Sequence, residues 1–425
     1  MSAIFGSSDQ IKQWKYKVKE LNILIPGSSE PVEIENSALI KLDIESNYEE
    51  YYFPLIKVTL VLKASVYYKI LEHKNKCKFH IRIDRYYKTP NKETESLSKT
   101  YLNKTFTLIM DDNTEDMSNA LKDEENKSDY KRRKQDEINS LEAHKIDNGL
   151  EFYLFNDTID GTRNNTNKVL SNANVTDAIA YLATVGKLNN LLMPPADNTT
   201  RYPFLLIPPQ TVIKNFAFLD SYYGIFKTGS IIFFDVDYTY IIPYSGTCDV
   251  WYPGEIKETC IIVPTSANTD HPRVFGSLDK KDNKNYIIAD ASTLSISNRS
   301  ISNNYLNSNS AQVVDSYANK DTTSTSTAKS KNGNFTKIFE DKTENPFIAE
   351  MYSAQSNAKS DVISLRLQDY DISAISPNKA FNVIFEDNKY TAKYNGNYIL
   401  AGVSHSFLTE GTGLLLNSTI VLRKV

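Results

Sequence analysis

Hydrophobic and polar positions alternate with a period of two along the first part of the chain. Phe79, Ile81 and Ile83 are interleaved with His80, Arg82 and Asp84, while Val32, Ile34, Leu39, Leu42 and Ile44 alternate less regularly with Glu, Lys and Asp. Alternation of this kind places one face of a strand in a core and the other in water. The run Phe53-Pro54-Leu55-Ile56-Lys57-Val58-Thr59-Leu60-Val61-Leu62 predicts a further strand. With no helical crossover expected between them, residues 32–88 predict an antiparallel sheet or a small barrel.

The period changes in the middle of the chain. Val175, Ile179, Leu182, Val185, Leu188 and Leu192 share one face at helical spacing, with Asn174 as cap, Asp177 in the first turn and Pro194-Pro195 as the stop. A second helix is expected from Thr211 to Tyr223, with Val212, Ile213, Phe216, Leu219 and Tyr223 inward and Gly224 ending it. Ser230–Ile242 then reads as one long apolar strand, and Trp251–Val263 continues the sheet. Strands return at Val362–Leu367, Ala380–Phe385, Tyr390–Tyr394, Tyr398–Ser404 and Leu414–Leu422, with turns expected at Asn395-Gly396 and Gly411-x-Gly413.

Two segments break the pattern. Residues 111–147 open on Asp111, Asp112, Glu115 and Asp116 and carry the basic tetrad Lys131-Arg132-Arg133-Lys134. Glu124, Glu125, Asp136 and Glu137 neutralise that tetrad, so the segment predicts a solvated insertion rather than a phosphate-binding element. Residues 276–345 are rich in Asn, Ser, Thr and Lys and predict a loop or linker, with weak strand signals at Tyr286–Ala289 and Gln312–Val314. The chain therefore divides into an N-terminal β domain (1–110), the charged insertion (111–147), an α+β middle domain (148–275), the linker (276–345) and a C-terminal β domain (346–425). The fold class is mainly β (α+β).

Composition narrows the function. The 425 residues carry a net charge of -4, which argues against nucleic-acid binding by global charge. Tyr (27) and Phe (19) far outnumber Trp (2), as suits aromatic-rich strands. Tyr51-Tyr52, Tyr67-Tyr68, Tyr86-Tyr87 and Tyr222-Tyr223 come as doublets, and in a strand one member of each points inward. No apolar run reaches the length of a membrane-spanning helix, and the opening residues contain no apolar stretch of signal-peptide length. Cys77, Cys248 and Cys260 form no C-x-x-C pair; Cys248 and Cys260 flank a possible hairpin, with reduced thiols the simpler reading. His73, His80, His144, His271 and His405 lack metal-ligand spacing.

One segment imitates an active site. Ile231-Ile232-Phe233-Phe234-Asp235-Val236-Asp237-Tyr238-Thr239 matches the hhhhDxDxT signature of haloacid-dehalogenase phosphatases. There the first Asp attacks phosphate and the second transfers the proton, with magnesium between them and the substrate. That chemistry needs the strand to end at the carboxylates, before a helix. Here Tyr240-Ile241-Ile242 continues the apolar run, and Pro243-Tyr244-Ser245-Gly246 follows. Asp235, Asp237 and Thr239 are expected to face outward from a sheet. No Walker loop, Rossmann glycine pattern or nucleophile elbow occurs, so no catalytic, cofactor-binding or metal-binding residue is assigned and no cofactor is expected.

Several segments together resemble the baseplate hub proteins of contractile-tailed bacteriophages. These are Phe53-Pro54-Leu55-Ile56; Tyr202-Pro203-Phe204-Leu205-Leu206-Ile207-Pro208-Pro209 leading into Phe218-Leu219-Asp220-Ser221-Tyr222-Tyr223-Gly224-Ile225-Phe226; Ser376-Pro377-Asn378-Lys379-Ala380-Phe381; and Tyr394-Asn395-Gly396-Asn397-Tyr398-Ile399-Leu400 with His405-Ser406-Phe407. The resemblance implies two barrel-like, tail-tube-like β domains at the termini and a helix-containing middle domain. It also implies a non-enzymatic virion protein: a homotrimeric hub that links the sixfold tail tube to the threefold central spike and lines the DNA conduit. Its implied partners are copies of itself, tail tube, spike and baseplate wedge proteins, and DNA in passage. No membrane insertion is implied, and its place is the tail baseplate, assembled in the host cytoplasm. The alternatives are another baseplate or tail component, such as a wedge or receptor-side subunit, and the phosphatase. The insertion at 111–147 has no place in the resemblance.

Overall fold

The first strand, β1 (Ile11–Leu24), buries Tyr16 and Val18, then Leu21 and Ile23. The alternation slips by one residue between these pairs. A β-bulge at Lys19 absorbs the slip, so both pairs face one core. Next come β2 (Leu39–Asn47), β3 (Leu55–Leu60), helix α1 (Ala64–His73), β4 (Lys78–Lys88), β5 (Lys99–Met110) and β6 (Leu150–Phe155). The computed structural model describes residues 11–49, 51–88, 98–110, 149–188, 190–236, 238–244, 260–265, 276–279, 285–300, 311–313, 327–330, 335–337, 359–377, 379–385 and 392–424. The charged segment 111–147, with Lys131–Lys134, lies outside them.

The middle of the chain supplies β7 (Asn165–Ala173), α2 (Val175–Val185), β8 (Leu191–Leu192), β9 (Tyr202–Thr211), α3 (Val212–Phe218), β10 (Ser230–Phe234) and β11 (Thr239–Pro243). After it come β12 (Cys260–Thr265), β13 (Gly276–Asp279), β14 (Asn285–Ser300), β15 (Lys359–Gln368), β16 (Ala380–Val383), β17 (Gly396–Glu410) and β18 (Gly413–Lys424). Ala311–Val313, Thr327–Ser330 and Phe335–Lys337 form a small separate sheet.

Strand pairing closes the main sheet twice. The first ring runs β1–β4–β5–β6–β3–β2–β17–β18, and the pair Tyr16–Leu414 returns it to β1. The second runs β12–β14–β15–β18–β17–β16 and back to β12. Both rings contain the C-terminal hairpin β17–β18. Its residues Gly396–Leu408 serve two neighbours in turn: Gly396–Ile399 pair with β16, and Gly402–Leu408 pair with β2. The change of partner falls on a bulge between Leu400 and Gly402. A Cβ on Gly402 would stand 3.0 Å from the Ser46 carbonyl oxygen, so a side chain there would press β2 back by a few tenths of an ångström. Closure leaves the walls of both barrels without a free edge.

These pairings confirm a mainly β chain, and several of them run across its expected division. The hairpin of the 346–425 segment completes the N-terminal barrel by pairing with β2 and β1. The segment expected as linker contributes β13 and β14 to the sheet: Tyr286–Ala289 are buried, and the polar Ser295–Ser300 stretch is held by pairing with Lys359–Ser364. Helix α1 interrupts residues expected to be all strand. It buries only Ala64, Tyr67 and Ile70, too narrow a stripe to separate from a half-buried strand by periodicity.

The middle helices stand close to expectation. Asn174 and Asp177 form a reciprocal capping box, with the Asp177 amide donating to Asn174 Oδ1 at 2.9 Å and the Asn174 amide donating to Asp177 Oδ2 at 3.0 Å. Helix α2 ends at Val185, before Gly186 and well short of Leu192. The α3 backbone continues as one π-helical turn, Leu219–Tyr223, and stops at Gly224, whose φ is 73°. The turn expected at Gly411 joins β17 to β18, with φ 58°. Asn395-Gly396 is not a two-residue hairpin: β16 and β17 pair across the longer connection from 384 to 395, and Ala392–Tyr394 is a 3₁₀ turn rather than a strand. Among the described residues no helix is long and apolar enough to cross a membrane.

Candidate functional site

The phosphatase-like motif folds as a hairpin turn. Strands β10 and β11 pair antiparallel from Ser230–Pro243 to Phe234–Thr239. The turn between them is closed by the Asp235 amide, which donates to the Tyr238 carbonyl at 2.8 Å. The Asp235 carboxylate accepts from the Val236 amide at 2.8 Å, and Asn156 Nδ2 donates to the Val236 carbonyl at 2.5 Å. Asp237 lies outside the described residues. Thr239 is buried rather than outward-facing. The expected single strand Ser230–Ile242 is thus two strands, and no helix follows the carboxylate. The hairpin is sandwiched: Ile231, Phe233, Tyr240 and Ile242 join the barrel core, while Ile232 and Ile241 join the core beneath α2 and α3. A strand buried on both faces has no polar alternation, which is why the turn is invisible in the hydrophobic pattern.

Two cavities meet at this turn. One, of about 100 Å³, lies among Ser46, Tyr101, Asp235, Tyr238, Ile372 and His405. The other, of about 450 Å³, lies among Lys104, Asp157, Asp160, Lys187, Asn190 and Asp235. Asp157 is engaged by Lys78 and Thr107. Among the described residues no cluster of three or more His, Cys, Asp or Glu side chains has the arrangement of a metal site. His80 instead lies 3.0 Å from the Thr105 hydroxyl and 3.5 Å from Glu20, and His73 ends α1. His144, His271 and Cys248 lie outside the described residues.

A buried polar group that sequence reading missed sits in the shared hairpin. His405 and Ser418 are direct cross-strand partners, with Nδ1 2.9 Å from Oγ. The Tyr370 hydroxyl donates to Ser418 Oγ at 2.8 Å, and the Tyr16 hydroxyl donates to the Tyr370 carbonyl at 3.0 Å. Ile372 N–H donates back to the Tyr16 oxygen at 3.0 Å. The group therefore joins β1, β17, β18 and the segment after β15. Burial pulls the His405 imidazole down to about 3 and drives the Tyr16 and Tyr370 hydroxyls well above their ordinary range. A serine–histidine pair normally suggests a nucleophile and its base. Here Ser418 is sealed from solvent and the imidazole is too weakly basic to take a proton near neutrality, so the pair serves as a polar lock. Nothing in the sequence marks it, because residues thirteen apart meet only through hairpin register.

Ion pairs reinforce the same joint. Arg423 Nε lies 2.8 Å from Glu49 Oε1, with both side chains only 4% exposed. Arg423 Nη2 also donates to the Tyr244 carbonyl at 2.6 Å, and its guanidinium lies 4.1 Å from the Tyr244 ring centroid. One side chain thereby ties β18 to the β2–β3 turn and to the end of β11. Arg85 pairs with Asp371, and Lys15 pairs with Asp369 at 2.9 Å. In the middle unit, Asp220 is buried and its carboxyl is pushed up by burial, opposed by the Ser230 hydroxyl donating to Oδ1 at 2.5 Å. The tyrosine doublets divide as inside and outside at Tyr67-Tyr68 and Tyr222-Tyr223, on helical backbone rather than strands, while Tyr51 and Tyr52 are both exposed.

The described geometry is that of a scaffold held by buried joints. A family model described as the bacteriophage PBS1 gene 109 protein matches residues 10–425. No curated protein matches the chain. Among solved structures, a tail protein from Neisseria meningitidis MC58 is similar at 9% identity and a TM-score of 0.46, with 96% of each chain covered. The 43 kDa tail protein of prophage MuSo2 from Shewanella oneidensis is similar at 9% identity and 0.43, covering 95% of this chain and 98% of that one. A chain of the p2 virion baseplate in its activated conformation gives 11% identity and 0.33, covering 95% and 98%. At these scores the likenesses are remote.

Proposed function

Because this chain belongs to the bacteriophage PBS1 gene 109 protein family, we propose that it is a structural component of a phage tail, and more narrowly a baseplate hub. The observation that carries this reading is the hairpin β17–β18, which belongs to two closed barrels at once. Each copy then presents two barrel bodies locked at a fixed angle. Three copies closed into a ring present six such bodies, which suits a sixfold tube on one side and a threefold spike on the other. Closed walls keep the barrels from pairing at random edges, so contacts between copies fall to specific surfaces. A net charge of -4 suits a lumen through which DNA slides without sticking. In this reading the partners are copies of the chain, tube, spike and wedge proteins, and the protein resides in the virion tail after assembly in the host cytoplasm. The mechanism is symmetry adaptation and conduction, with no bond made or broken.

Antibody–gold labelling of intact virions, together with the native mass of the purified chain, tests this. The reading expects label at the distal end of the tail and a particle of three times 48.2 kDa. Label spread along the tail shaft would favour another tail component. Absence from the virion would overturn the proposal.

A further inference from the structure

Two places among the described residues expose three large apolar side chains together. The first is the ribbon β7–β9, a sheet of two strands. Leu205 and Ile207 point inward and are buried. Phe204 and Leu206 therefore point outward, where Leu206 faces Val169 directly across the ribbon and Phe204 lies opposite Ser171. Their exposures are 73% for Phe204, 48% for Leu206 and 56% for Val169. Asn165, Asn167 and Ser171 complete this face, which carries no charge. Pro203, Pro208 and Pro209 remove amide donors from β9, whereas β7 contains no proline and pairs only with β9 among the described residues.

The second place is the turn between β2 and β3, where Tyr51 is 65% exposed, Tyr52 39% and Leu55 48%. This turn is pinned from behind. The Phe234 amide donates to the Tyr52 carbonyl at 2.7 Å, and the Phe53 ring stacks on Phe234 at 5.0 Å. The backbone that carries its exposed side chains is thus held in place before any partner arrives.

The areas match. At roughly 200 Å² for an aromatic and roughly 150 Å² for an aliphatic side chain, each patch offers roughly 300 Å² of apolar surface. A standard interface buries about 800 Å² per partner, somewhat over half of it apolar, so each patch supplies roughly two thirds of that apolar share. The ribbon face is uncharged, so it can receive the apolar Tyr51–Leu55 turn without stripping water from a charge. A patch meeting a different patch on the next copy is a heterologous contact, the kind that generates rings. We propose that the outward face of the β7–β9 ribbon docks onto the Tyr51–Leu55 turn of a second copy of this chain. This rests on the reading of the chain as a self-assembling tail protein and names the surfaces it would use.

The test uses three full-length proteins and mass measurement across micromolar concentrations. One variant carries Val169→Asp and Phe204→Asp; the other carries Tyr51→Asp and Leu55→Asp. All four positions are solvent-exposed, and unchanged circular dichroism and melting temperature establish that the variants fold. Wild type is expected to form closed oligomers, and each variant alone to dissociate at least tenfold more readily. An equimolar mixture of the two variants is expected to give dimers of twice 48.2 kDa and nothing larger, because one intact turn meets one intact ribbon. Wild-type protein that stays monomeric would overturn the contact. So would a turn variant that assembles like wild type while the ribbon variant dissociates, which means that the ribbon meets itself, and so would a mixture that stays monomeric. Gold label on virion tails is read separately, so the tail assignment can stand while this contact falls.

Discussion

Replacing Arg423 by Ala should be among the most damaging single changes in the shared joint. Its guanidinium meets the Glu49 carboxylate at 2.8 Å where both side chains are 4% exposed, and it also meets the Tyr244 carbonyl and ring. Truncation leaves the Glu49 carboxylate buried without this counter-charge and the Tyr244 oxygen without this donor. Breaking one partner of a buried ion pair costs about 3–5 kcal/mol, and a buried acceptor that loses its donor costs about 1–3 kcal/mol. The two overlap, so the expected loss is about 4 kcal/mol. On the scale of mid-sized domains that is a fall in melting temperature on the order of 8–16 °C. Urea unfolding followed by far-ultraviolet circular dichroism measures it. The double variant Arg423→Met with Glu49→Leu removes both charges and keeps the volume filled, so it should recover most of the loss. A single variant within about 1 kcal/mol of wild type would refute the joint, as would a double variant no better than the single.

Four further outcomes follow from the same geometry. His405 is held neutral, with its pKa drawn down to about 3 from an ordinary 6.5. Unfolding therefore takes up a proton below pH 6.5, and stability that is full above that value should fall by about 1.4 kcal/mol per pH unit toward pH 3; subtracting the pH profile of His405→Gln from that of wild type should isolate the slope, and identical profiles would exclude it. Asn174→Ala removes one side of the capping box and should cost about 1 kcal/mol in urea titration, whereas Gly161→Ala should prevent the middle unit from packing, since a Cβ there would sit 1.9 Å from the Gly186 carbonyl oxygen; a soluble Gly161→Ala protein as stable as Asn174→Ala would contradict that close approach. Burial pushes the Cys260 thiol up to about 12 and raises that of Cys77, so peptide mapping after brief maleimide treatment at pH 7 should find both unlabelled in the native protein and labelled in urea.

The parts legible in the sequence were those governed by local rules. The capping box at Asn174 and Asp177, the helical stripe from Val212 to Tyr223 with its stop at Gly224, and the alternation in β4 and β18 each follow from a few neighbouring residues. What escaped was set by distant pairing. Double use of the β17–β18 hairpin changes over at a bulge at Ala401 beside Gly402, neither of which alters the hydrophobic pattern. The Asp235 turn escaped because apolar residues flank it closely on both sides and its strands, covered on both faces, show no alternation from which to read a break. The His405–Ser418–Tyr370 lock and the Arg423–Glu49 pair join residues up to 374 positions apart, and no spacing rule reaches that far. Two exposed patches were equally unreadable, since Phe204 and Leu206 look like core residues until the register shows which of their neighbours turn inward.

A reconstruction of intact phage tails by electron cryomicroscopy bears most directly on the assignment. The account predicts a ring at the distal end of the tail in which each copy fits as two barrels sharing one hairpin. A virion whose baseplate density is fully accounted for by other chains, with this one absent from its proteome, would contradict it.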